Sequence, residues 1–267
     1  MSDAGKGATV DPRNPFGHPL NPHYGAGVYR RKIRLVNTPG RVEGALEDCN
    51  HGFCVVLEHD GQRITRVLPE HRRIPMNTCG GAAEPLRALV GIPLGLDDRS
   101  LARRVNTSAH CTHWLDLTLL AIAHADRTER EREYLVNVPD YSGEAVPAEV
   151  WRNGELIHRW MVADWAIHAP AELVGKPLYK GFTRWAAACF GDADQREAAQ
   201  VLQKGYFVSS ARMFDASLLQ GDPARAHTVM HGSCYTYSEP RLSRAVRLGA
   251  SSVRDFSDTP EALLRFE

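Results

Sequence analysis

No apolar run in the 267 residues approaches the roughly 20 needed to cross a bilayer, so no membrane partner is expected. The first ten residues, Met1 to Val10, are polar and glycine-rich, with no basic stretch leading into an apolar core. They do not read as a signal peptide, and the cytoplasm is the expected compartment. Neither sign of charge is in excess: 32 basic residues balance 32 acidic ones. A neutral chain lacks the electrostatic footprint of a nucleic-acid binder. Basic pairs such as Arg30–Arg31 and Arg103–Arg104 read as solvated faces. The six cysteines contain no C-x-x-C pair and are expected to be free thiols. There is no G-x-G-x-x-G, no Walker A segment and no G-x-S-x-G elbow.

What is present is enough apolar residue, 43% of the chain, to fill a core without staples. Residues 1–27 read as an arm, since Pro12 to Pro22 holds four prolines and a glycine. Strands then follow one another through short turns: 28–36, 41–48, 53–58 and 64–68. Asp60-Gly61 signals a tight hairpin between the last two. In the first strand Val28, Ile33 and Leu35 alternate with Arg30, Lys32 and Arg34. The pattern slips near Tyr29–Arg31, where a bulge is expected. A short helix over 82–90 stops at Gly91 and Pro93, and a polar linker runs from Gly95 to Asn106. A second helix, capped by Thr107 or Ser108, extends to about Ala125 and is apolar nearly all round, which suits a central position.

The β pattern restarts with strands at 134–138, 148–151, 156–162 and 165–168. Asn153-Gly154 makes a second hairpin. Helices at 182–190 and 194–206 follow, then a last strand at 233–238. The reading is an α+β chain of two antiparallel meander-plus-helix halves, 28–126 and 131–256, packed around the central apolar helix. They form a single domain over 28–267.

Two segments carry chemistry. The first is His110-Cys111-Thr112-His113-Trp114-Leu115-Asp116, with His124 further along the same helix. His113, Leu117, Leu120 and His124 share a face. The two histidines lie roughly 16 Å apart at about 1.5 Å per residue, too far to share one ion. The second is His231-Gly232-Ser233-Cys234-Tyr235-Thr236-Tyr237, whose residues alternate if it is a strand. Three readings stay open. The histidines are satisfied core residues. Alternatively, Cys111 or His113 joins His231 or Cys234 around zinc or non-haem iron, at spacings that match no structural zinc motif. The third is a haem pocket, in which one neutral histidine on an apolar helix suffices. Trp114, Trp151, Trp160, Trp165 and Trp185 suit the core, or a pocket for an apolar aromatic compound. Asp116 and Asp140 are candidate acids or bases.

The chain also resembles a known family over about residues 27–256. The likeness is carried by Gly27-Val28-Tyr29-Arg30-Arg31, Asn37-Thr38-Pro39-Gly40-Arg41-Val42-Glu43-Gly44, Thr78-Cys79-Gly80-Gly81-Ala82-Ala83 and Leu89-Val90-Gly91-Ile92-Pro93-Leu94. The segment most specific to it is Cys111-Thr112-His113-Trp114-Leu115-Asp116-Leu117. The family is catalogued as domain of unknown function 2889. Its members often carry Leu where this chain has Trp114, a change that reshapes any pocket near His113. The resemblance implies bacterial catabolism of hydrophobic aromatic compounds and links to haem oxygenases that attack the propenyl side chain of phenylpropenes such as anethole.

On that footing the leading expectation is an iron oxygenase acting on the side-chain double bond of a small hydrophobic aromatic substrate. Haem is the expected cofactor, with zinc or non-haem iron as alternatives. His113 or His124 is the expected metal ligand, with Trp114, Leu117 and Leu120 lining the cofactor. His231, Tyr235 and Asp116 are the expected catalytic groups. The competing expectations are a metal-dependent or metal-free lyase, hydratase or hydrolase on an aromatic or acyl substrate, with Cys111, His113 and Asp116 as ligands or acid/base groups, and a non-catalytic small-molecule carrier. A homo-oligomer is left open.

Overall fold

The computed structural model describes residues 14, 17–96, 100–101 and 104–266. Residues 1–10, much of the expected arm, Arg103 and part of the expected linker lie outside them. Eight strands form one open antiparallel sheet in the order β4-β3-β2-β1-β5-β6-β7-β8. The first meander is β1 (Val28–Thr38), β2 (Arg41–Asp48), β3 (Gly52–His59) and β4 (Ile64–Arg73). The second is β5 (Glu131–Pro139), β6 (Val146–Arg152), β7 (Glu155–Ala163) and β8 (Ala166–Ala169). Antiparallel pairing of β1 with β5, from Val28↔Pro139 to Val36↔Glu131, fuses the two into one sheet. Both hairpins form, but only the second has the expected two-residue turn, with Asn153 and Gly154 at φ 49° and 82°. Strands β3 and β4 are joined instead by a four-residue loop in which Gly61 adopts 86° and Asp60 Oδ1 accepts from the Gln62 and Arg63 N–H groups.

Four helices are seen among the described residues: α1 (Ala83–Arg87), α2 (Thr112–Ala125), α3 (Phe182–Cys189) and α4 (Ala193–Ser209). The helix α2 packs chiefly on β1, β2 and β3, while α4 packs on β5, β6, β7 and β1. The helix expected at the centre therefore lies over one half of the sheet, with α4 as its counterpart over the other. Gly44 allows the close approach of α2, because a Cβ there would stand 3.2 Å from Leu117 Cδ1. The apolar circumference of α2 is used from two sides: Trp114, Leu115, Leu117, Ala121 and Ile122 are all buried.

Three local expectations are corrected. The helix starts at Thr112 with Cys111 at the N-cap, instead of at Thr107 or Ser108. Asn106 Oδ1 takes the Ser108 hydroxyl at 2.8 Å, so that hydroxyl is spent in a turn before the helix. Residues 233–238 form turns, not a strand. Gly232 N–H donates to the Tyr237 carbonyl at 2.8 Å and the Ser238 hydroxyl to the Cys234 carbonyl at 2.9 Å, so the polar groups close locally. Finally, β1 has no bulge: its register with β2 and β5 runs unbroken. Tyr29, Arg31, Ile33 and Leu35 all point inward, and Arg31 is 1% exposed instead of solvated.

The face beneath α4 has little slack. A Cβ on Gly205 would lie 2.6 Å from Val136 Cγ1, on a central strand where Val136 is fully buried. Helix propensity favours alanine over glycine by about 1 kcal/mol. Overpacking against a β-branched, buried side chain costs about 1–3 kcal/mol and is expected to win. Gly205→Ala should therefore lower the melting temperature, and Val136→Ala in the same chain should relieve the clash. A melting temperature raised by Gly205→Ala alone would count against this close contact.

Candidate active site

The inward face of β1 leads to a buried polar cluster. Arg31 on β1 pairs across the strands with Asp48, the last residue of β2. Asp48 Oδ2 accepts hydrogen bonds from the Tyr29 hydroxyl at 3.0 Å, from Arg31 Nε at 3.0 Å and from Arg31 Nη2 at 2.6 Å. Asp48 Oδ1 accepts from the backbone N–H groups of Asn50 at 2.8 Å and His51 at 2.9 Å. The same oxygen lies 3.0 Å from His51 Nδ1. Both carboxylate oxygens are saturated, so Asp48 acts as an anchor. With Nδ1 turned to the carboxylate, the proton-accepting nitrogen of a neutral His51 is Nε2.

The His113 ring, from the first turn of α2, lies 4.3 Å from the His51 ring. The residue as a whole is half-buried, but its Nδ1 is sealed from solvent and has no hydrogen-bond partner. One turn further on, Asp116 Oδ1 accepts from Lys204 Nζ of α4 at 2.9 Å, while its Oδ2 is buried and unpaired. Buried polar atoms without partners are rare in folded proteins and mark places built for something other than packing. Here two fall on one face of α2, at i and i+3, beside the charged groups of β1 and β2.

The electrostatics follow from burial and pairing. Burial opposes the charge of Asp48, but the adjacent His51 and Arg31 and the bond from His51 hold its carboxyl well below the usual range. Burial, reinforced by His51 and Arg31 and opposed by Asp48, pushes the His113 imidazole well below its usual value. At neutral pH the cluster thus holds an ionised Asp48 and a neutral His113.

The loop carrying this cluster is clamped from outside. Arg73 donates to the Cys49 carbonyl at 2.7 Å, the Asp48 carbonyl at 2.7 Å and Glu47 Oε1 at 2.9 Å. Arg254 N–H donates to the Cys49 carbonyl at 2.9 Å, and Leu264 N–H to Glu47 Oε2 at 2.6 Å. The C-terminal segment is thereby stitched over the end of β2. Cys49 and Asn50 also line a cleft of about 270 Å³ with Arg212, Phe214 and Arg247. A second cleft, about 420 Å³, is walled by His71, Gly80, Gly81 and Trp114.

The residues expected from sequence are distributed unevenly. His113 and Asp116 belong to the cluster. Trp114 stacks on Phe53 with ring centroids 4.8 Å apart, and its indole N–H donates to the Cys54 carbonyl at 3.0 Å. Leu117 is fully buried in the core and Leu120 packs against it. His124, at the far end of α2, is 0% exposed, with Nε2 3.4 Å from the Arg130 carbonyl. His231 is exposed, its Nε2 3.1 Å from the Arg225 carbonyl. The Tyr235 ring lies 4.2 Å under the Arg241 guanidinium. Asp140 is consumed by Arg212, Oδ1 to Nε at 2.7 Å.

Nor do Cys111, His113, His231 and Cys234 converge on one ion. Among the described residues, three metal-ligating atoms come within 4.8 Å of one another only at His18, Asp222 and His227. Burial raises the Cys111 thiol far above its usual range, which disfavours a thiolate there. The haem expectation required an aliphatic slot around a histidine. The His113 ring lies 4.3 Å from the His51 ring. His124 Nε2 lies 3.4 Å from the Arg130 carbonyl. Both histidines lie against polar groups, and nothing among the described residues supports haem. The sequence reading missed Tyr29, Arg31, Asp48, His51 and Lys204; the interrupted alternation at Tyr29–Arg31 was the one signal of them.

No helix among the described residues is long and apolar enough to cross a membrane. No family model matches the chain, and no curated protein matches it.

Proposed function

We propose that the protein is an enzyme of proton transfer, in the lyase, hydratase or hydrolase class, acting on a small aromatic or acyl compound. The observation that carries the reading is the unpaired, buried Nδ1 of a neutral His113 set against the Asp48–His51 pair. Asp48 orients His51 and compensates the positive charge that His51 gains on accepting a proton at Nε2. Arg31 and the Tyr29 hydroxyl hold Asp48 ionised and in place. His113 offers a neutral imidazole to a polar group of the substrate. Lys204 and Asp116, with side chains 41% and 24% exposed, are the part of the cluster that reaches solvent.

The test needs no knowledge of the natural substrate. Small aryl ketones, aryl-acyl thioesters, esters and styrenes are incubated with the protein in heavy water. Exchange, hydration or cleavage is then followed by NMR. Wild type is expected to act on at least one class, and His51→Gln to lower that rate by about 10²–10⁴-fold while staying folded. A rate unchanged in folded His51→Gln would overturn the assignment. Saturable binding with no turnover, insensitive to His51→Gln, would instead favour a carrier.

A further inference from the structure

The arm before β1 and the loop after α4 meet at a second cluster, separate from the candidate active site. His227 Nε2 lies 2.7 Å from Asp222 Oδ2, and His18 Nε2 lies 3.8 Å from the same oxygen. The His18 and His227 rings are 4.7 Å apart, edge to face. Ligands bound about 2.0–2.1 Å from a tetrahedral ion sit about 3.3 Å from each other. The two observed spacings straddle that value, so small side-chain movements suffice to seat an ion. We propose that His18, Asp222 and His227 form a binding site for a divalent transition ion, zinc or ferrous iron.

The donor set and its support suit such an ion. Two imidazoles and one carboxylate are a common donor set for zinc with an open position, and for non-haem ferrous iron. His227 is buried, and its other nitrogen, Nδ1, is 2.8 Å from the Tyr237 hydroxyl. A ligating histidine is usually fixed in just this way by a partner on its far nitrogen. His18 is held at its backbone by Asn14, whose side chain bonds its N–H at 2.9 Å and its carbonyl at 2.8 Å. Backbone bonds fix the loop on both sides of Asp222 and His227, with Ala224 N–H on the Ala245 carbonyl at 2.9 Å and Arg247 N–H on the Asp222 carbonyl at 2.9 Å. Arg247 is a nearby cation that works against an ion, and the Asp222 carboxylate acts in the opposite sense. An ion here ties the arm to the body, beside the cleft lined by Phe214 and Arg247.

The test is a titration of the chelator-treated full-length chain with Co²⁺ and Zn²⁺. Calorimetry gives the affinity, and the visible bands of bound Co²⁺ report its coordination. One ion per chain with micromolar or tighter affinity is expected. His18→Gln lies on the arm, outside the core, and should weaken binding at least about 10-fold without unfolding the protein; Asp222→Asn should do the same. Tyr237→Phe, which leaves all three ligands in place, should weaken it by about 10–100-fold. No binding at micromolar metal, or binding that survives both His18→Gln and Asp222→Asn unchanged, would overturn the site and leave Asp222–His227–Tyr237 as a structural hydrogen-bond chain.

Discussion

Asp48→Ala is expected to cost about 3–5 kcal/mol of folding stability, because it leaves the Arg31 guanidinium charged, buried and unpaired in the middle of a sheet. Arg31 is 1% exposed and Asp48 0%, and neither can be hydrated without opening the β1–β2 ladder. The loss is compounded locally. The same carboxylate accepts the Tyr29 hydroxyl and the backbone N–H groups of Asn50 and His51, so its removal frees the turn that carries His51. Urea unfolding reads the effect. Replacing both charges with apolar groups of similar size, Arg31→Met with Asp48→Leu, should cost less than Asp48→Ala alone, since no buried charge remains unpaired. The remaining deficit in that double variant measures what Tyr29 and the turn lose. A value within 1 kcal/mol of wild type for Asp48→Ala would mean that Arg31 finds solvent by another route, and the account of the cluster would fail.

Acid is expected to destabilise the protein from about pH 6.5 downward, well before its carboxylates are protonated. His113 is held well below its usual value, chiefly by burial and then by the neighbouring His51 and Arg31. Such a base is neutral in the folded chain and protonated in the unfolded chain between its folded value and 6.5. The unfolded state then binds the extra proton, so stability falls as pH drops through that window. One proton of difference gives a slope of about 1.4 kcal/mol per pH unit. Burial lowers His110, His124 and His158 in the same direction, which steepens the slope. Asp48 acts lower on the scale. Its folded value lies well below 3.8, so the stability it contributes is full above that value and is lost as pH falls through the folded one. Equilibrium unfolding at a series of pH values gives the slope directly. His113→Gln should flatten it by up to one proton's worth, and a slope identical to wild type would show that His113 titrates normally.

Much of the architecture was legible because it rests on local chemistry. The β hairpins at Asp60-Gly61 and Asn153-Gly154 need positive φ, and glycine and asparagine supply it. Eight of the nine expected strands are present, in two runs of four. The failures have specific causes. Residues 233–238 alternate like a strand, yet serine hydroxyls and local backbone bonds satisfy the same groups within the loop. The N-cap moved to Cys111 because Asn106 had already taken the hydroxyl of Ser108. The break at Tyr29–Arg31 was read as a bulge, since an inward arginine normally costs too much on a sheet; the cross-strand Asp48 removes that objection, and no rule of spacing within β1 could have revealed it.

The candidate site was legible only in part for the same reason. His113 and Asp116 were visible because they lie on one helix, where i and i+3 are neighbours whatever the fold. Asp48 and His51 lie about 60 residues away in sequence, and Lys204 about 90, so their meeting depends on how β2, α2 and α4 pack. The choice between His113 and His124 as a ligand could not be read from the helix alone, because a histidine's neighbours come from other elements. By itself the sequence determined the α+β class, the two meanders, their turns and the helix rich in histidine and cysteine, since periodicity and turn chemistry are properties of short segments. Only the tertiary structure decided which histidine meets Asp48, which arginine is buried and that His18 lies against Asp222 and His227, because burial and pairing belong to contacts between segments that are distant in the chain.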